Sequence, residues 1–383
     1  MNSRERVITA LNHEEPDRVP RDLGGSVVTS IALPTYRELR RCLGLPEVEP
    51  RVLEVVQQLA WVDDDVLDAL ALDVVPLFAN PPARSAAIRT EPEGGQAFED
   101  DFGATLRMPP GCCYFDWREF PLREPTLEAL SRLPWPEVED PARWSGLRER
   151  ALALRASTDR AIFGMAPFGH DLFNQWFRVR GMVAAMEDLL LHEEVVEAFL
   201  ERLTGTICRA QTLFLDAVGD LIDVHFAADD LSGQTGPLIS PPLYRRLVKP
   251  RQARIMATIK SKTRAKIFYH SCGALREFLP DLIEIGVDIL NPVQVSATGM
   301  DTAALKREFG AHLSFWGGGC DTQRVLPFGT PAEVRAEVRR RVHDLAPGGG
   351  FIFNPVHNIQ PRVPAENIVA MFACAAENGS YRA

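Results

Sequence analysis

The sequence predicts an α/β fold, a single (β/α)8 TIM barrel spanning residues 1–383. Eight short β-branched or aromatic runs alternate with longer helical patterns, which is typical of parallel βα units. The length of 383 residues suits one large barrel, since such domains often exceed about 250 residues. A doubly wound sheet is disfavoured, because Gly24-Gly25 after the first run is not continued as G-x-G-x-x-G.

The strands are predicted in order along the whole chain, each followed by a loop and a helical pattern. Their bounds are Val19–Leu23, Val74–Phe78, Ala161–Met165, Ile222–Ala227, Lys266–His270, Asp288–Asn291, Leu313–Trp316 and Phe351–Asn354.

Helix start signals support this alternation. Thr330 with Glu333 three residues later is a capping box that opens a helix over Pro331–Leu345. A helix also begins at Pro241, and Pro250 inside it is expected to kink or split it, because proline lacks the N–H that continues a helix.

One region departs from the βα rhythm. Residues Ala87–Asp116 alternate on either side of Gly94-Gly95 and predict a β-hairpin inserted after the second strand, where it would partly cover a barrel mouth. The Pro- and Trp-containing stretch Glu119–Ser145 is expected to wrap the outside and offers a surface for a homodimer.

The composition excludes several classes of protein. The 52 Asp and Glu residues outnumber the 42 Lys and Arg residues, giving a net charge of −10. Nucleic acid is therefore not an expected partner, because nonspecific binding needs basic residues. No apolar run approaches the roughly 20 residues that span a bilayer, and Met1–Asn12 contains no apolar signal core. We expect a cytoplasmic protein without membrane association, whose 7 dispersed cysteines stay reduced.

The carboxyl ends of the predicted strands carry a set of polar side chains. Active sites of TIM barrels lie at this end of the strands. Five consecutive strand ends contribute Asp, His, Cys and Asn residues, in the segments Asp229-Asp230, His270-Ser271-Cys272, Asn291, Cys320-Asp321 and Asn354 to Asn358.

His270, Cys272 and Cys320 form the candidate metal site. Side chains two residues apart on a strand point the same way, and Cys320 arrives from two strands further round the barrel. One imidazole and two thiolates are a recognised ligand set for catalytic zinc, with a fourth position left open. The alternative is that the cysteines are ordinary core residues, since cysteine is often buried.

Other side chains at the same rim are candidates for catalysis and binding. Asp230 is a candidate fourth ligand or base, and His357 a candidate catalytic group, because an imidazole can donate, accept or bind metal. Candidate contacts to a substrate or cofactor are Asp229, Gln234, Asn291 and Asn354. The alternative for these residues is helix capping or hydrogen bonding among the βα loops. His170, after the third strand, is a further candidate to face the mouth.

The chain resembles the uroporphyrinogen decarboxylase superfamily, and within it the cobalamin-linked methyltransferase branch. The resemblance extends from Arg4 to Asn367, and its most specific part is the triplet of His270, Cys272 and Cys320. It implies a TIM barrel, a zinc ion held by that triplet, and methyl transfer between a corrinoid on a partner protein and a small thiol or methylated heteroatom.

The sequence also departs from the true decarboxylases. The segment Pro20–Ser26 is not rich in Arg, and Val75–Asn80 contains no carboxylate after the second strand. Both departures disfavour decarboxylation of a polycarboxylated porphyrinogen. Two alternatives to the methyltransferase stay open: a metal-free decarboxylase of the same fold, and a non-catalytic corrinoid-binding barrel.

Overall fold

The computed structural model describes residues 1–84, 87–168 and 171–381. The strands are β1 (Val52–Glu54), β2 (Leu59–Ala60), β3 (Val74–Phe78), β4 (Arg89–Thr90), β5 (Gln96–Glu99), β6 (Thr105–Met108), β7 (Asp116–Glu119), β8 (Ala161–Met165), β9 (Val224–Ala228), β10 (Lys266–His270), β11 (Ile289–Asn291), β12 (Ser314–Trp316) and β13 (Phe351–Ile352).

Helices alternate with the barrel strands and pack outside them. They are α1 (Ser3–Leu11), α2 (Leu33–Cys42), α3 (Asp64–Ala69), α4 (Leu127–Ser131), α5 (Pro141–Trp144), α6 (Leu147–Ser157), α7 (Leu172–Arg180), α8 (Met182–Leu191), α9 (Glu193–Val218), α10 (Pro241–Leu247), α11 (Lys249–Lys260), α12 (Leu279–Glu284), α13 (Thr302–Phe309), α14 (Val325–Phe328), α15 (Pro331–Leu345) and α16 (Ala365–Asn378).

A parallel sheet forms the barrel wall, in the order β3-β8-β9-β10-β11-β12-β13. The prediction of a TIM-type barrel is confirmed. Three strands, β3, β8 and β10, have the predicted bounds, and the other four are shifted or shortened by one or two residues at their ends.

The first predicted strand, Val19–Leu23, is not a regular strand. It still occupies the eighth position in the wall. The Phe353 N–H donates to the carbonyl of Pro20 at 2.8 Å, and the Asp73 N–H donates to the carbonyl of Arg21 at 2.8 Å. Because Pro20 has no N–H to donate, the ladder cannot continue on both sides, and the segment closes the barrel through isolated bonds.

A buried carboxylate holds this closing segment in place. Asp73 is fully buried and accepts from Arg6 Nη1 at 2.7 Å and from Arg18 Nη1 at 2.7 Å. It also accepts from the backbone N–H of Arg21 at 2.9 Å. One side chain before β3 therefore ties together helix α1 and the closing segment.

Aromatic side chains fill the barrel interior. Phe163 and Phe268 lie edge to face, with ring centroids 4.9 Å apart, and Trp316 lies 5.5 Å from both. At the amino-terminal ends of the strands, Val7 and Leu11 of α1 join the same buried cluster. The barrel is thus a packed core closed at one end, as is usual for this fold.

Asp22 is buried beside this core and supports a prediction about pH. It accepts from the indole of Trp316 at 2.9 Å, and burial raises its pKa to about 6. Since the folded pKa exceeds the unfolded value, stability from the protonated form is present below pH 4 and is lost as pH rises through 6. As pH rises across that window, the natural chain loses stability and Asp22→Asn does not. The difference in their unfolding free energies is therefore expected to grow by up to about 3 kcal/mol in favour of Asp22→Asn.

The measurement is urea unfolding between pH 4 and pH 7. Asp64→Asn, at an exposed position in α3, is the control and should leave the pH profile unchanged. A constant difference between Asp22→Asn and the natural chain across the window would show that Asp22 does not titrate there.

The insertion is larger than predicted. Instead of one hairpin within Ala87–Asp116, the strands β4-β5-β6-β7 form a four-stranded antiparallel sheet that ends at Glu119. A second turn follows β5, where the Asp100 carboxylate accepts from the N–H groups of Phe102 and Ala104, both at 2.9 Å. An Asp residue at this position favours a turn, and this signal would have predicted the additional strands.

The predicted helix signals are confirmed. Thr330 and Glu333 form a reciprocal capping box at the start of α15. The helix that begins at Pro241 is split into α10 and α11, with Pro250 in the first turn of the second piece. Within the described residues, no helix combines the length and apolar character needed to cross a membrane.

Candidate functional site

A cavity of about 480 Å³ opens at the carboxyl ends of the barrel strands. We call it the mouth cavity. Its apolar walls include Val28, Met165 and Phe226. Its polar side chains come from three sources: the strand ends, β1 with the loop after it, and α7 with the residue before it. They are Glu54, Gln57, Asp171, Asn174, Arg178, Asp229, Asp230, His270 and His357.

Three side chains at this mouth form a potential metal-binding group. One ligating atom each from His270, Cys272 and His357 lies within 4.8 Å of the other two. Nε2 of His270 is 3.5 Å from Sγ of Cys272. Ligand atoms around a tetrahedral zinc ion are about 3.6 Å apart, given bonds of ~2.1 Å to nitrogen and ~2.3 Å to sulfur. Two imidazoles and one thiolate therefore fit a zinc ion in chemistry, and the distance between His270 and Cys272 matches the spacing of zinc ligands.

Asn291 sets the orientation and tautomer of His270. Its Nδ2 donates to the carbonyl of Trp316 at 2.8 Å, which turns Oδ1 toward the imidazole. Nδ1 of His270 lies 2.6 Å from that oxygen and so carries the proton. Nε2 is left with its lone pair directed toward Cys272, as a metal ligand requires.

If this group binds zinc, Asn291→Leu is expected to weaken that binding by about 10- to 100-fold, since outer partners of ligating histidines contribute about this much. The dissociation constant can be measured by competition with a chelator. The control is Gln234→Leu, because that amide bonds to Gln294 and Ser296 rather than to His270. Equal affinities for Asn291→Leu and the natural chain would mean that the hydrogen bond does not orient the ligand.

Cys272 is held by the neighbouring loop. Its backbone N–H donates to Oδ1 of Asp230 at 2.6 Å. Gly273 follows with φ +94°, and a Cβ there would lie 2.5 Å from the carbonyl oxygens of Ser232 and Gly233. Only glycine fits this close approach. Burial and the Asp230 carboxylate raise the pKa of the Cys272 thiol, so a metal ion would have to displace its proton.

His357 completes the group from the loop after β13. Its ring centroid is 5.3 Å from that of His270. Burial and the neighbouring His270 lower the pKa of His357 to about 3. The imidazole is therefore neutral near pH 7, which is the form that binds a metal.

The structure does not bring Cys320, the expected third ligand, into this group. Its Sγ lies 3.8 Å from Oε2 of Glu337 in α15, and the side chain packs in the core between barrel and helices. Gly317 and Gly318 have φ values of +93° and +79°. This left-handed turn redirects the chain, so the strand-end rule does not extend to Cys320.

Asp229 has a structural environment. It is buried and accepts from the N–H groups of Phe173 and Asn174 in the first turn of α7, at 3.0–3.1 Å. Gln252 donates to it at 3.1 Å. Burial and the nearby Asp171 raise the pKa of Asp229 well above its usual range. These contacts favour the helix-capping interpretation of Asp229.

The remaining predicted contacts lie among the βα loops. Asn354 is buried and donates to the carbonyl of Asp22 at 2.9 Å. Gln234 is exposed, accepts from Gln294 at 2.6 Å and does not line the mouth cavity. Both amides therefore hydrogen-bond between loops, which is the alternative to a substrate or cofactor contact. His170 lies outside the described residues.

Sequence reasoning missed an ion pair in the mouth cavity. Arg178 Nη1 lies 2.8 Å from Oδ2 of Asp171, and its guanidinium stacks 5.0 Å from the ring centroid of Trp117. Asp171 follows the predicted strand Ala161–Met165 closely enough for the strand-end rule to suggest it. Arg178 lies two turns into α7, and Trp117 belongs to the inserted sheet, so no local pattern joins them.

The comparisons with known proteins agree on the fold. Residues 176–378 match the uroporphyrinogen decarboxylase (URO-D) family. The uroporphyrinogen decarboxylase of Pelobacter propionicus is 24% identical over 353 residues, covering 89% of this chain and 90% of the relative. That of Trichlorobacter lovleyi is 23% identical over 287 residues, covering 72% and 75%. A solved methyltransferase from Methanosarcina mazei superposes with TM-score 0.63 at 20% identity, covering 98% of this chain and 99% of that chain.

Proposed function

We propose, from the premise that the chain belongs to the URO-D family, that it is a zinc-dependent methyltransferase. The proposed reaction moves a methyl group between a corrinoid cofactor, carried on a partner protein, and a small thiol or methylated heteroatom substrate. The main observation that supports this proposal is the group of His270, Cys272 and His357 at the barrel mouth.

The ligand set supports this proposal through its charge. Two neutral imidazoles and one thiolate would leave a bound Zn²⁺ with a net charge of +1, and Asp230 lies beside Cys272. When bound, zinc holds a thiol as its thiolate or polarises a methylated heteroatom, and the corrinoid supplies the cobalt that carries the methyl group.

The protein's own contribution is positioning and exclusion of water. Asn291 holds His270 in one tautomer, and Asp230 fixes the loop of Cys272. Val28 and Phe226 form apolar walls of the mouth cavity. A reacting group placed there exchanges water for fixed dipoles, which strengthens its electrostatic contacts.

The charges of the mouth cavity disfavour the decarboxylase alternative. Four carboxyl side chains line the cavity, Glu54, Asp171, Asp229 and Asp230, whereas the described lining contains one arginine, Arg178, which is paired with Asp171. A substrate with many carboxylates would therefore find one arginine on this surface, and that arginine already has a carboxylate partner. The inserted Ala87–Asp116 region adds no free cation to the lining.

The test combines metal analysis with methyl transfer. The purified protein should bind one zinc ion and demethylate methylcobalamin in the presence of a simple thiol. Cys272→Ser should lose both properties, whereas Cys320→Ser should keep zinc if the ligands are those brought together here. A protein without zinc that decarboxylates a polycarboxylated porphyrinogen at full rate would refute the proposal.

A further inference from the structure

A second cavity adjoins the mouth cavity. We call it the side chamber. It has a volume of about 540 Å³ and lies between the inserted sheet, the β1 loop and α7. Val55, Phe98 and Phe102 contribute apolar walls. Its size is in the range of sites that hold a small organic molecule.

The two cavities share one wall. Five residues line both, namely Glu54, Val56, Trp117, Phe168 and Arg178. Phe168 has a φ of +67°, in the left-handed region that aromatic residues rarely occupy. The two cavities are therefore adjacent, so a molecule with its reacting end at His270 would have its other end on the side of Trp117 where the side chamber lies.

One buried donor in the side chamber has no partner in the described part of the chain. Gln175 is 7% exposed and lines the chamber. Among the described residues, nothing accepts a hydrogen bond from its Nε2. Its Oε1 lies 3.5 Å from Nη1 of Arg178, which leaves Nε2 as the free end of the amide. An unsatisfied buried donor costs about 1–3 kcal/mol, and an acceptor atom on a ligand would remove that cost.

The buried charged side chains around the chamber already have partners. Glu54 accepts from the N–H groups of Val56 and Gln57 at 2.6 and 2.7 Å. Asp100 accepts from two backbone N–H groups and from the Trp117 indole at 3.3 Å. Arg178 is paired with Asp171, and Asp101 is paired with Arg143. Glu99 is exposed to solvent, so the buried part of the chamber needs neither a cation nor an anion.

We infer that the side chamber binds the non-reacting part of the substrate, an uncharged, ring-sized apolar group that carries one hydrogen-bond acceptor for Gln175. The inference rests on the proposed function, because it assumes that the reacting end lies at the mouth cavity. Flat rings suit the walls, since Phe98 and Trp117 offer faces and edges for aromatic contacts.

The experiment uses two probes of similar size, acetophenone and ethylbenzene, in which a carbonyl group takes the place of a methylene group. Binding to the full chain is measured by calorimetry. Acetophenone should bind about three to ten times more tightly than ethylbenzene, the effect of one buried hydrogen bond. Gln175→Leu, and independently Gln175→Glu, should abolish this preference.

Filling the chamber provides the second arm. Val55→Trp should weaken both probes at least tenfold, whereas Val52→Trp is the matched control, because Val52 is 52% exposed and does not line the chamber. Equal binding of the two probes to the natural chain, or unchanged binding to Val55→Trp, would overturn the inference.

Zinc content and methylcobalamin demethylation with a simple thiol are measured on the same proteins, so the two proposals can fail separately. If the protein binds zinc and demethylates methylcobalamin but does not prefer acetophenone, only the inference about the side chamber is wrong. If the probe preference appears in a protein without zinc or demethylation, only the proposed function is wrong.

Discussion

His270→Ala is expected to abolish zinc binding and to lower the rate of methyl transfer by about 10³-fold or more. The imidazole is the central member of the group, 3.5 Å from Sγ of Cys272 and 5.3 Å from the ring of His357. Removing it leaves one thiol and one imidazole, which is too few protein ligands for a catalytic zinc site. A lost Lewis acid removes several kcal/mol of transition-state stabilisation.

The measurements are zinc per chain by elemental analysis and the rate of methylcobalamin demethylation. His312→Ala is the matched control, because His312 is exposed and lies outside the mouth cavity. Circular dichroism should show both variants folded. A folded His270→Ala variant that retains one tightly bound zinc would contradict the proposed site.

Asp73→Ala is expected to destabilise the barrel by about 3–5 kcal/mol, the usual effect of removing one partner of a buried ion pair. Arg6 and Arg18 would lose a fully buried carboxylate that both contact at 2.7 Å. The backbone N–H of Arg21 would lose its acceptor as well. The closing segment of the barrel would then be held mainly by its bonds to Phe353.

Urea denaturation checks this prediction. Asp68→Ala is the control, because its ion pair with Arg160 is at the surface, with the Asp68 side chain 75% exposed. Such pairs contribute about 0–1 kcal/mol. If the two variants lost similar stability, the buried network would not be what secures barrel closure.

The regular part of the fold was predictable because its signals are local. Strands β3, β8 and β10 are short apolar runs buried on both faces, and their bounds follow from the sequence alone. The segment Val19–Leu23 reads equally well as a strand, yet Pro20 leaves it bonded through single contacts. Its pairing depends on the register of Phe353 and Asp73, which no local pattern encodes.

The candidate site was predictable in part. The strand-end rule located His270, Cys272 and His357 at one rim, because the topology of the barrel places strand ends together. It could not determine side-chain direction after a glycine turn, which is why Cys320 was expected at the metal group and lies against Glu337 instead. The roles of Asn291 and Asp229 depend on partners from other strands and helices, and these appear only in three dimensions.

The way the barrel closes has a consequence for biosynthesis. The segment around Arg21 is translated early, but it pairs with Phe353, which is translated after most of the chain. At rates of about 5–20 residues per second, the early segment waits roughly tens of seconds for its partner. During that interval the free edge of the segment around Arg21 lacks its final neighbour, Phe353, so the nascent polypeptide would be a substrate for chaperones on the ribosome.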